Sequence, residues 1–416
     1  MTQERKKHDF YGLEGVIYLD YPATTPCDPR VFEKMEPYFY KFFGNPSSRN
    51  HAYGWGAREA VAIALLHVAD FLKVDEREII FTSGASESNV LALRGVAMQA
   101  KLKSNTQANH IITTQVEHHS VSSCCEQLKE EGFRVTYLPV DSDGLINVQQ
   151  LADVLDAQTL LVSIIAVNNE TGVIQPIKDI GDVCAQKNVL FHSDMTQAVG
   201  KVPIDLNLWN VGLASFSSHK IYGPKGIGAL FMRRKPAVKI RPLLIGGGQQ
   251  RGLRGGTLPV PLCVGFGEAC VLLQDEFSHE LPRISSLSQR LWAGLSQIPL
   301  ATLNGSPTYK VPHIVNVSFP YIEGESLAMG LENICVSTGS ACSSERLESS
   351  HVLKAMHADE FVVQSSLRFG LGRFTTAQEI DQTIAKTVEE VERLRAMSPV
   401  WDMYKEGVDF KTIRWR

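Results

Sequence analysis

The chain has 416 residues, 44% of them hydrophobic and 21% charged, which is enough apolar material for a large buried core and shows no bias toward disorder or fibre. Its 41 Lys and Arg against 45 Asp and Glu leave a formal net charge of -4, scattered along the chain rather than clustered, so no basic face for nucleic acid is expected. No apolar run reaches the roughly 18 residues of a membrane span, and the charged start lacks the apolar centre of a secretory signal; no membrane contact and a cytoplasmic location are therefore expected.

Between residues 75 and 235 short β-rich runs alternate with helix-like stretches: "EIIFTSG", "HIITTQ", "LLVSIIAVNN", "VLFHSD", "LASFSS" and "IGALFM". This alternation predicts an α/β unit with a mostly parallel sheet and crossover helices. After the first run, "ASESNVLALRGVAMQA" has the apolar spacing of a helix opened by a serine and glycine turn, and "KLKSNTQAN" reads as a polar surface loop. The character changes after "GGGQQRGLRGGT", residues 246–257. Helical patterns around residues 260–298 lead to separated strands, "HIVNVSF" and "SLRFGLG", and then to a helix at "TTAQEI", where Thr376 and Glu379 fit a capping box. This half is expected to form a smaller α+β domain. The eight cysteines have no CxxC spacing, and most sit in apolar periodic segments, as reduced core cysteines do.

In an open parallel sheet, ligands bind beyond the carboxyl ends of the strands, where loops converge and helix N-termini aim their N–H groups. The first predicted strand ends in Ser83, Gly84, Ala85 and Ser86, and the second in Glu117, His118 and His119. The third supplies Asn168, Asn169 and Glu170, the fourth Asp194 and Gln197, and the fifth Ser217, Ser218, His219 and Lys220. Taken singly, Asp194 reads as a helix N-cap, His118 as a core histidine and "SGAS" as a helix cap. The adjacent histidines and cysteines of "EHHSVSSCC" do not have zinc-ligand spacing. Together these groups match the needs of pyridoxal phosphate: a lysine to hold the aldehyde, a carboxylate to keep the ring nitrogen protonated, and hydroxyls with a helix N-terminus for the phosphate. Asp194 and Lys220 are the candidates for the first two roles. A free lysine titrates near ~10.4, so imine formation requires surroundings that lower that value.

Over nearly everything after residue 15 the chain resembles the pyridoxal-phosphate-dependent cysteine desulfurases of the housekeeping iron-sulfur assembly type, within the fold-type I, class V aminotransferase superfamily. The motifs that carry the resemblance are "YLDYPATTPCDPRV", "FGNPSS", "FTSGASESN", "VNNETGVIQPI", "SFSSHKIYGPKGIGAL", "RGGTLPVP", "STGSACSS" and "RFGLGRFTT". It implies a large domain over residues 28–277 with a mostly parallel, seven-stranded sheet. It also implies a small α+β domain from residues 1–27 and 278–416, with a mobile cysteine loop at about 338–350 and a C-terminal docking tail. By motif, Lys220 would be the Schiff-base lysine, Asp194 the partner of the ring nitrogen, and His118 the stacked ring and a proton-transfer group. Gln197 would bond the ring hydroxyl, Asn169 would bind both the cofactor and the substrate carboxylate, and Arg368 would bind that carboxylate too. Ala85, Ser86, Ser217 and His219 would bind the phosphate, joined by Thr257 of the partner subunit in a homodimer. Cys342 would be the nucleophile that takes sulfur from L-cysteine and passes it to an iron-sulfur scaffold or other acceptor proteins. No resident metal is implied, Cys342 being the one place for a transient iron-sulfur contact.

Four positions depart from the family pattern: Ser86 for the more usual threonine, Met195 for alanine, Ala166 for histidine and Gly255 for serine. Cys342 lies in "VSTGSACSSERLESSH", a small and polar run that cannot pack tightly, whereas Cys124 and Cys125 read as structural. Trp401, Met403, Tyr404 and Trp415 in the tail fit either internal packing or docking of a scaffold protein. The competing functions are a selenocysteine lyase, a class V aminotransferase and a catalytically silent partner subunit.

Overall fold

The computed structural model describes residues 13–102, 108–338, 349–357 and 359–408. They form two units. One comprises residues 23–169 and 173–279, and the other the described residues of 13–22, 170–172 and 280–408.

Strand β1 (Ile17–Tyr18) belongs to the smaller unit. The larger unit is built on β2 (Ile79–Thr82), β3 (His110–Thr114), β4 (Arg134–Leu138), β5 (Thr159–Ser163), β6 (Leu190–Asp194), β7 (Leu213–Ser217) and β8 (Gly228–Met232), in the sheet order β2-β8-β7-β6-β5-β3-β4. Only β8 runs against its neighbours β2 and β7, so the other six strands present their carboxyl ends at one edge. Strands β2, β3 and β7 are buried at every residue, as a sheet covered on both faces requires. That is why they read as apolar runs rather than alternating ones. Strand β4 was not among the predicted strands, because it is an edge strand whose first four residues are only partly covered or exposed.

The predicted helix after β2 runs over Ala85–Lys101 and buries Leu91, Leu93 and Val96 against Ile80, Ile111 and Leu230. Burial of each such side chain contributes roughly 2 kcal/mol. Cys124 and Cys125 lie on the helix His119–Glu130 within the same core. Burial pushes the Cys124 thiol up to about 11 and the Cys125 thiol higher still, so both are inert packing groups, as expected.

In the smaller unit, β9 (Thr302–Leu303), β10 (Ile314–Ser318), β12 (Ser337–Thr338) and β13 (Ser366–Gly370) form an antiparallel sheet in the order β12-β13-β10-β9, and β11 (Ile334–Cys335) pairs with β1. The helical patterns expected around 260–298 are one helix, Val260–Leu295, with Pro282 inside it; its residues through His279 belong to the larger unit and those from Glu280 to the smaller. The last long helix, Ala377–Ala396, begins with the predicted box: the Thr376 hydroxyl accepts from Glu379 N, and the Glu379 carboxylate accepts from Thr376 N. Ile380 is buried, and Ile384 and Val388 pack beside it.

The tail aromatics pack within this unit. Tyr404 stacks on Tyr321 with ring centroids 4.5 Å apart, Trp401 stacks on Tyr404 at 5.4 Å, and the Arg395 guanidinium lies 4.2 Å from the Trp401 ring centre. Trp415 lies outside the described residues.

Candidate active site

At the end of β2 the chain turns at Gly84 and enters the helix Ala85–Lys101 with no side chain capping its first turn. The leading N–H groups, including those of Ala85 and Ser86, therefore point outward as an anion cup. The Glu87 carboxylate in that turn would oppose an anion, but it is engaged elsewhere. It accepts from Ser83 N at 2.7 Å and from the Arg254 guanidinium at 2.9 and 3.3 Å. The turn fits only because residue 228 is glycine: a Cβ there would come within 2.7 Å of the Gly84 backbone.

Asp194 closes β6 and is 3% exposed. Its Oδ1 accepts from Thr196 N at 2.9 Å in the turn that follows β6, where no helix begins, so it is not the helix N-cap its residue type suggested; its Oδ2 accepts from Asn89 Nδ2 at 2.7 Å. The other Asn89 N–H reaches Ser120 Oγ at 2.9 Å, and Ser120 Oγ lies 2.8 Å from His118 Nδ1. With both Asn89 protons committed, the Ser120 hydroxyl donates to His118. Ser120 N also donates to Nδ1, at 3.1 Å, so a neutral His118 carries its proton on Nε2. Asn89 and Ser120 were not singled out from the sequence. Asn89 lies inside the quoted "FTSGASESN", but its role depends on a contact with a strand 105 residues away.

Glu117, beside His118, is buried and accepts from Thr114 Oγ1 and Ile165 N. Burial, reinforced by Asp194, pushes its carboxyl up to about 8. It is therefore neutral at pH 7 and does not compete with Asp194 for a cation.

Strand β7 ends at Ser217, and Lys220 closes the short turn that follows. Lys220 is half-buried and its Nζ donates to Ala23 O at 2.7 Å. His219 Nδ1 lies 3.1 Å from Thr24 Oγ1. Burial, with Lys220, Lys225 and Lys201 around it, pulls this imidazole down to about 4, so it is neutral at pH 7. Gln197 is buried, and its Oε1 accepts from Lys201 Nζ at 2.7 Å. Asn169 is half-buried, whereas Thr257 is exposed at the end of the glycine-rich segment. That segment is clipped to the edge strand by the Gln250 amide, which accepts from Phe81 N at 2.6 Å and donates to Phe81 O at 2.7 Å.

The larger unit thus holds Ala85, Ser86, His118, Asn169, Asp194, Gln197, Ser217, His219, Lys220 and Thr257. Glu170, read as one of the strand-end groups, instead belongs to the smaller unit, where its carboxylate accepts from Ser350 Oγ at 2.5 Å. Arg368 is also in that unit, paired with Asp20 at 2.7 Å and donating to Ser337 Oγ at 3.1 Å. Cys342 lies outside the described residues. Of the departures, Met195 and Ala166 are buried. Gly255 has a reason of its own: a Cβ there would approach Gly246 N to 2.8 Å.

An uncapped helix N-terminus, a buried carboxylate and an amine at one edge of a parallel sheet fit the phosphate, ring nitrogen and aldehyde of pyridoxal phosphate, and so define a fold-type I site. Residues 17–383 match the aminotransferase class-V family. Over 399 residues the chain is 54% identical to the mitochondrial cysteine desulfurase of Arthroderma benhamiae, covering 96% of this chain and 79% of that protein. It is 51% identical over 400 residues to the mitochondrial cysteine desulfurase of Drosophila melanogaster, covering 96% and 86%. A solved NifS-like protein superimposes with a TM-score of 0.85 at 38% identity, over 91% of this chain and 100% of the other. The chain belongs to the class-V aminotransferases and, within them, to the cysteine desulfurases, pyridoxal-phosphate enzymes that take sulfur from L-cysteine.

These relatives overturn the cytoplasmic expectation, since both curated enzymes are mitochondrial by name. That expectation rested on apolarity, which detects membrane spans and secretory leaders but not addresses read by organellar import receptors.

Proposed function

We propose that the strand-end residues hold pyridoxal phosphate and turn L-cysteine into L-alanine and a persulfide on Cys342. The observation that carries the assignment is the convergence of Lys220, Asp194 and the open turn at Gly84 on one sheet edge. The cofactor, when bound, supplies an electron sink for the substrate carbon. The chain does the rest. Ala85, Ser86, Ser217 and His219 bind the phosphate, Asp194 holds the proton on the ring nitrogen, and Gln197 faces the ring oxygen. Lys220 anchors the aldehyde and then moves the Cα proton, with His118 Nε2 as its partner. Asn169 and Arg368 orient the substrate carboxylate. The Cys342 thiolate attacks the substrate sulfur. The substrate C–S bond breaks, its electron pair stays on carbon and is protonated there, and the sulfur remains on Cys342.

Purified protein given L-cysteine is expected to release alanine and to accumulate persulfide at Cys342, up to one per chain before an acceptor thiol is added. Cys342→Ala should keep its colour and lose both products. Undiminished alanine from that variant would remove the sulfur-transfer step.

We also infer a homodimer. Phe32, Phe39, Tyr40, Phe43 and Trp55 are each more than half exposed in the larger unit, and the nearby cavity of about 550 Å³ is mostly apolar, lined by Tyr38, Phe42, Tyr53 and Ile63 with Lys41 and Glu59 also on its wall. A patch of this kind fits a partner's surface, and a second copy would bring Thr257 to its neighbour's phosphate. Inactive Lys220→Ala and Thr257→Ala chains, when mixed, are expected to regain about half of wild-type activity per mixed dimer, through one intact composite site of two. No recovery in verified mixed dimers contradicts this. For the acceptor, the tail around Tyr404, 37% exposed, is the proposed docking place of an iron-sulfur scaffold protein.

A further inference from the structure

Lys201 is 9% exposed and lies one helical turn's spacing after Gln197. Its Nζ donates to Gln197 Oε1 at 2.7 Å. A buried lysine is rare unless an anion pairs with it, yet the charges around this one are cationic. Lys220 acts on it directly, and His219 feels Lys201, Lys220 and Lys225 together. Burial and Lys220 pull the Lys201 amine down to about 7, and as amine or ammonium it still has an N–H to donate. Ion pairing therefore does not account for its place in the interior.

The hydrogen bond does. A glutamine amide offers an acceptor on one side and two donors on the other, and it can flip between them unless a neighbour fixes it. Lys201 donates here, with N–H groups to spare as ammonium or amine, and so commits Gln197 Oε1 to the acceptor role. We propose that Lys201 is a positioning residue: by pinning Gln197 Oε1 it makes Gln197 present an N–H donor, not a carbonyl, to the ring oxygen of bound pyridoxal phosphate. This rests on the reading that Gln197 faces that oxygen. A donor there stabilises the oxygen as its anion and so favours loss of the proton it shares with the lysine-bound nitrogen. A carbonyl would repel the anion and hold that proton on.

The test uses the holoenzyme and reads the cofactor's absorbance, not turnover. Borohydride reduction comes first, with the pyridoxyl label expected on Lys220 in wild type and variants. Label elsewhere overturns the site itself and this proposal with it, before any titration is made. The absorbance is then titrated between pH 6 and 10. In Lys201→Met, which removes the donor, the midpoint should rise by about one unit, the scale of a lost hydrogen bond to a charged group. In a Gln197→Ala background the same substitution should move the midpoint by less than about 0.3 unit, because the effect of Lys201 runs through Gln197. If Lys201→Met takes up no cofactor, Lys201→Arg, whose guanidinium can only donate, is titrated in its place and should match wild type, a shifted Lys201→Arg overturning the proposal. A shift of similar size without Gln197 assigns the effect to charge or packing and overturns the proposal, as does an unshifted Lys201→Met.

Discussion

Lys220→Ala is expected to lower desulfuration by roughly 10³-fold, because on the proposed assignment one side chain both anchors the cofactor and moves a proton, and proton transfer by a positioned group alone contributes about 10²–10⁴-fold. The loss should be chemical rather than structural. The Lys220 amine reaches Ala23 O from a short turn at the end of β7, while the strand itself is held by pairing with β6 and β8. Folding and the far-ultraviolet spectrum should therefore be those of wild type. The proposed phosphate cup at Ala85 and Ser86 does not involve Lys220, so the variant should still take up cofactor, now removable by dialysis. Rapid-quench measurement of alanine, with bound cofactor measured in parallel, separates the two effects. Turnover within tenfold of wild type would show that another amine serves.

Asp194→Asn is the second large effect, with an expected fall of about 10²-fold. A charge-assisted hydrogen bond is about twice as strong as a neutral one, and an amide cannot hold the ring proton as a carboxylate does. Glu117, a buried carboxyl that feels Asp194, is no substitute, because burial pushes it up to about 8 and leaves it neutral at pH 7. The bonds from Thr196 N and Asn89 Nδ2 converge on the Asp194 oxygens. An asparagine would have to turn its NH₂ toward one of these donors or toward the ring nitrogen, so some cofactor is retained but misaligned. Steady-state rates and the absorbance of the purified variant check this. A variant with wild-type turnover would assign the ring nitrogen to another residue.

The sequence and the structure agree where burial decides. Apolar runs such as "LASFS" became fully buried strands because both faces of a parallel sheet are covered. The box at Thr376 and Glu379 was legible because its two bonds span three residues. Strand β4 was not, since an edge strand that begins at an exposed Arg134 lacks the apolar signature. In the site, strand-end position together with a long family motif marked Lys220 and Asp194. The groups behind them, Asn89, Ser120 and Lys201, escaped notice because each acts through a side-chain contact that spacing alone does not encode. The aromatic tail shows the same limit: Tyr321, which receives Tyr404 and Trp401, lies about eighty residues earlier in the chain.

Borohydride reduction followed by peptide mass mapping reads out whether Lys220 carries the cofactor opposite Asp194. The protein is expected to be yellow and to bleach on reduction, with one pyridoxyl group fixed on the peptide that contains Lys220. A pyridoxyl group on any other lysine, or a colourless protein that still makes alanine from L-cysteine, would contradict this.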